Sequence, residues 1–143
     1  YGRSERLLFR ALLAVYRVLG MRGFLSSAVV DALLAPKTRA EDPDAVALVL
    51  DGLRTMERGA LANAMVSISI RRPDLTPRLA AVRCPTIFVT GSDLPDWVPD
   101  LAAAKSRLLA NGSVAVIPDT AYLTPLEAPA ETVRIVRDLW GAS

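Results

Sequence analysis

The stretch DLTPRLAAVRCPTIFVTGSDLPDWVP, residues 74–99, decides the fold class. It opens with a turn and a short helical piece. Pro85 then launches residues 86–90, a β-branched and aromatic run closed by Gly91, which reads as a buried parallel strand. Downstream, residues 101–109 carry a helical pattern, Asn111-Gly112 a turn, and residues 113–117 a second strand. A last helix begins near Pro129, with Val133, Ile135, Val136, Leu139 and Trp140 expected to cover the sheet. The order strand, helix, strand, helix is half of an α/β sheet. Two strands of about five residues fall short of an independent sheet. The missing strands are therefore expected from a preceding segment or from another chain.

Upstream of residue 72 the pattern is helical throughout. Residues 4–19 place Leu7, Leu8, Ala11, Leu12, Val15, Val18 and Leu19 at helical spacing, with Arg3, Arg6, Arg10 and Arg17 opposite. Ser4 is the expected N-cap, and Gly20 and Gly23 mark the end. Residues 24–34 form a second apolar run, and 37–43 read as a loop. Asp42-Pro43 starts a third helix through about Arg58, with proline at the first helical position, where its missing N–H costs nothing. A fourth spans 59–70, with Leu61, Met65 and Ile68 on one face.

Composition narrows the function classes. Hydrophobic residues make up 52% of the 143-residue chain and mean hydropathy is +0.31, against a usual apolar share of about 45–50%. Apolar surface is thus expected to meet something beyond these residues. Arg6, Arg10 and Arg17 interrupt the longest apolar candidate, which excludes a transmembrane helix. Residues 1–83 hold 13 Arg or Lys against 8 acids, and residues 84–143 hold 4 against 7. The cations are not interleaved with aromatics, so nucleic acid is not an expected partner. The single Cys84 has no disulfide partner and no metal-ligand spacing surrounds it, which points to a reducing, cytoplasmic setting, to no bound metal and to no cofactor. Ahead of Pro85, Cys84 is expected to be a small buried hydrophobe.

Residues 74–99, followed by VAVIPDTAYLTPLEAPAETVRIVRDLW at 114–140, resemble the C-terminal portion of α/β-hydrolase-fold proteins. Residues 1–71 resemble the later helices of their cap, and 72–143 the C-terminal part of the core. The resemblance implies an upstream nucleophile elbow, G-x-S-x-G, which this chain does not contain. It also implies an acid three residues after the strand-ending glycine, where Leu94 stands between Asp93 and Asp96. Its histidine position, before the run that reads here LTPLE, is held by Tyr122. The chain contains no histidine at all.

An imidazole near pKa ~6.5 exchanges protons at neutral pH, whereas a phenol near ~10 is a poor base. Loss of a triad histidine costs on the order of a millionfold in turnover. The expected protein therefore has a degenerate Ser-His-Asp triad and binds an apolar small molecule between cap and core. Tyr122 and Asp93 are the residues at or near the base and acid positions. Leu94, Trp97, Tyr122, Leu123, Met56 and Met65 are the expected lining. Glu127 is expected to hold the second loop structurally, and Asp96 to shape the first. Two alternatives stand: an active serine hydrolase whose catalytic groups lie upstream, and an interaction module that complements another chain.

Overall fold

The computed structural model describes residues 7, 10, 11, 13–16, 18, 23–71, 73–94 and 99–141. The expected Ser4 cap and Gly20 stop, Arg3, Arg6, Arg17, Leu8, Leu12 and Leu19 lie outside the described residues, as do Asp96 and Trp97. The described residues between 7 and 18 are helical. They are followed by α1 (Phe24–Leu33), α2 (Pro36–Glu41), α3 (Pro43–Thr55) and α4 (Arg58–Met65). A π-helical turn, Val66–Ile70, extends α4, and a 3-10 helix, Thr76–Ala81, leads to β1 (Thr86–Gly91). Then come α5 (Pro99–Ser106), β2 (Gly112–Ile117), α6 (Thr124–Glu127) and α7 (Pro129–Gly141).

Among the described residues the sheet has two strands, and β1 runs parallel to β2 with Thr86 opposite Gly112 and Gly91 opposite Ile117. The crossover between them is α5, which packs against both strands. Thr86 to Val89 are only half-buried, so β1 is buried solely at Thr90 and Gly91 rather than along its length. One helix against two strands cannot enclose both faces of the sheet. α7 likewise buries Ile135 but leaves Val133 47% and Trp140 73% exposed.

Local chemistry explains several boundaries. Asp42 accepts a hydrogen bond from the Ala45 N–H at 2.9 Å and so caps α3, with Pro43 next in line. Glu57 caps α4 by accepting from the Gly59 and Ala60 amides. Residues 37–43 are not a loop as expected. Pro36 at a first helical position starts α2, whose end donates from the Asp42 amide to the Thr38 carbonyl.

Two faces also differ from the expected ones. The opening helical segment buries Leu13 and Tyr16 against Ala62, Leu61, Met65 and Val66, whereas Leu7 and Val18 of the expected core stripe are 68% and 79% exposed. Apolar residues surround this segment on most sides, and packing against α4 selected the opposite face. Ile68 leaves the face of Leu61 and Met65 and is 58% exposed, because the Val66–Ile70 turn is π-helical and the extra residue per turn rotates the side chains that follow. Cys84 is exposed rather than buried, since it lies before the strand and outside the sheet's covered end.

Candidate functional site

Both strands end at one place. Gly91 closes β1, and a Cβ built there would lie 2.1 Å from the Thr120 carbonyl oxygen, so only glycine admits the loop that follows β2. That loop is laced to the turn after β1. The Ser92 amide donates to the Ile117 carbonyl and the Asp93 amide to the Thr120 carbonyl, each at 3.0 Å. The Ser92 hydroxyl accepts from the Asp119 amide at 2.9 Å and donates to Asp93 Oδ1 at 2.8 Å. Asp119 takes a left-handed conformation, φ 55°, in the turn that reverses the chain.

The loop's far side is fixed by one carboxylate. Glu127 Oε1 accepts from the Ala121 amide at 2.8 Å, while Oε2 accepts from the Ala35 amide at 2.7 Å and the Thr38 hydroxyl at 2.9 Å. The helical first half and the strand-bearing second half thus meet on a single side chain, 92 residues along the chain from Ala35. The Tyr122 amide adds a bond to the Leu33 carbonyl at 3.2 Å, and Lys37 Nζ an ion pair to Asp119 at 2.9 Å. The Asp119 carboxylate raises the Lys37 pKa, through the hydrogen bond first and its charge second. Leu34, Ala35, Ile117, Thr120 and Ala121 are all buried around this joint.

The expected site residues fall into three groups. Tyr122 is 42% exposed on the loop beside Ala121, Leu123 is half-buried next to it, and Leu94 is buried at 6% exposure, just past the Ser92-Asp93 turn. The two loops bring these residues and Asp93 to one end of the sheet, and Asp93 is exposed with its carboxylate engaged by Ser92. Met56 lies elsewhere, lining a cleft of about 390 Å³ in the helical half with Leu53. Met65 packs into the cluster around Leu13 and Tyr16. Trp97 is outside the described residues. Glu127 holds the second loop, as expected from the sequence. Ser92, Thr38 and the Leu33 carbonyl were not legible beforehand, because their partners lie 27 to 89 residues away. Among the described residues no group of His, Cys, Asp and Glu is arranged to hold a metal ion, and no helix is long and apolar enough to cross a membrane.

No family model and no curated protein matches the chain. Solved structures do. The chain superposes on a thermophilic esterase from Thermogutta terrifontis, solved with malate bound, at TM-score 0.88 and 22% identity, covering 99% of this chain and 52% of the esterase. For MenH from S. aureus the TM-score is 0.83 at 17% identity, over 97% of this chain and 52% of that one. For the enol-lactonase from Burkholderia xenovorans LB400 it is 0.80 at 18% identity, over 92% and 49%. The chain thus spans about half the length of the structures it matches, and at these identities the likeness establishes the fold. With its paired parallel strands, crossover helix and strand-end loops, the chain has the fold of the C-terminal portion of an α/β-hydrolase.

Proposed function

We propose that this protein is an α/β-hydrolase-fold member with a degenerate triad, which holds an apolar small molecule between a cap (1–71) and a core (72–143) without splitting it through an acyl-serine. The observation that carries the reading is Tyr122: a phenol stands on the loop that Glu127 clamps, in a chain without histidine. At neutral pH a phenol keeps its proton and donates a hydrogen bond, whereas general-base activation of a serine requires a group that titrates near the working pH. On this reading Tyr122 orients a ligand oxygen, while Leu94, Trp97 and Leu123 supply apolar surface at the strand-end loops; Met56 and Met65, which pack in the helical half, take no part in it. Asp93, already engaged by Ser92, acts as turn chemistry more than as the orienting acid of a triad. The upstream half of the fold, on the same polypeptide or on a second chain, completes the sheet beside β1. A cytoplasmic setting follows from the lone Cys84.

The test uses the polypeptide that carries this chain. Aryl and alkyl esters should turn over at background rate, a serine-directed fluorophosphonate should leave no adduct, and apolar ligands should raise Tm. Ester turnover abolished by that reagent overturns the proposal. A second reading draws on the fold shared with an esterase and an enol-lactonase: an active serine hydrolase whose base or acid is recruited from the absent half. An intact G-x-S-x-G segment upstream would favour it, and the same labelling experiment separates the two.

A further inference from the structure

We propose that the helical half carries a binding site of its own, separate from the strand-end loops, for a small carboxylate on a short aliphatic chain. The site is the cleft of about 390 Å³ where the opening helical segment, the start of α1 and the α3–α4 junction meet. Arg54 and Arg58 both line it, and among the described residues no acidic side chain does. Among the described residues neither guanidinium has an ion pair or a hydrogen bond, whereas Arg39 is paired with Asp31, and Arg134 with Glu131 and Asp138. Two uncompensated guanidiniums at the mouth of one concavity raise the local concentration of anions, and their planar forks match a carboxylate bidentately.

The surroundings favour the same charge. α1 is ten residues long and starts at the cleft with Gly23 at its N-cap, no side chain capping it and no acid in its first turn. No acidic residue of its own first turn offsets its positive end. Ser26 does not compete for the ligand as a donor, because its hydroxyl proton goes to the Gly23 carbonyl at 2.8 Å. Tyr16, buried at 3% exposure, donates its hydroxyl to the Arg58 carbonyl at 3.4 Å and so ties the start of α4 to the floor of the cleft. Leu53 and Met56 supply the apolar wall that an inorganic anion would not use and an aliphatic chain would. The volume lies at the lower end of the range of small-molecule sites, roughly 300–1,000 Å³, which suits a short chain.

The probe is hexanoate, titrated calorimetrically into the full polypeptide, with hexanamide and inorganic phosphate as comparison arms. Saturable hexanoate binding is expected, weakened about tenfold by R54Q and by R58Q, the loss of one charge-assisted contact. R107Q, far from the cleft, should leave it unchanged. Far-UV melts of each variant establish that these exposed substitutions leave the fold intact, and R58K, which keeps the charge without the fork, should fall between R58Q and the unaltered protein. The proposal is overturned if hexanoate does not saturate, if hexanamide or phosphate binds as well as hexanoate, or if both arginine variants bind unchanged. None of these readouts involves ester turnover or Tyr122, so this site and the loop site stand or fall separately.

Discussion

At Glu127 two carboxylate oxygens accept from three donors, two of them backbone amides and one the Thr38 hydroxyl. Glu127→Gln keeps the shape but replaces one acceptor oxygen by a donor that faces an N–H, leaving at least one amide unpaired. A loss of about 2–3 kcal/mol is expected in denaturant unfolding, in the range for hydrogen bonds to a charged group whose partner is then stranded. The neighbouring Gly91→Ala substitution drives a methyl into the Thr120 carbonyl, and no rotamer relieves a backbone clash. It should cost about 2–3 kcal/mol and shift the amide NMR signals of Ser92, Asp93 and Ala121. Tyr122 behaves differently. Its amide is anchored on the Leu33 carbonyl, so Tyr122→His presents an imidazole on a loop that keeps this backbone bond. Under the function proposed above this substitution alone yields no ester turnover, because Leu94 still occupies the acid position.

Among the elements, α3 depends on its cap more than on its propensity. Asp42→Ala removes the acceptor for the Ala45 amide and should lower stability by about 1 kcal/mol, read by thermal melting. Surface ion pairs matter less: Lys37 and Asp119 are more than half exposed, and Lys37→Met should leave the thermal melt essentially unchanged in moderate salt. Exposed carboxylates give the pH dependence its sign. Asp74 is held below its ordinary 3.8 by the Thr76 hydroxyl and then by the Thr76 amide, and Glu131 below 4.5 by Arg134. Each contribution is complete above the ordinary value and is lost as pH falls through the lowered folded one. Carboxyl carbon NMR titrations should therefore show both midpoints below those of the unfolded chain, and midpoints at or above them would contradict the geometry.

For the whole molecule, a two-stranded sheet cannot by itself hide the apolar surface that 52% hydrophobic composition supplies. Leu7, Val18, Phe24, Leu48, Val116, Val133 and Trp140 are exposed among the described residues. The 143 residues expressed alone should bind a hydrophobic dye and associate in a concentration-dependent way in sedimentation, and supplying the other half of the fold should suppress both. A monomer that excludes the dye would contradict this expectation.

Much of this was legible in the residues. Pro85 and the β-branched run marked β1, Asn111-Gly112 marked the entry to β2, and Asp42-Pro43 marked α3, because local sterics and local hydrogen bonds set those boundaries. The absence of histidine and the place of Tyr122 needed no coordinates either. Tertiary structure alone decided which side of the opening helix is buried, since that segment is apolar on more than one face and only the position of α4 selects between them. It also decided that Glu127 ties Ala35 and Thr38 to the Tyr122 loop, and that Arg54 and Arg58 share a cleft with Tyr16. Contacts between residues tens of positions apart leave no periodic trace in the chain, because they arise from how elements pack and not from how each one forms.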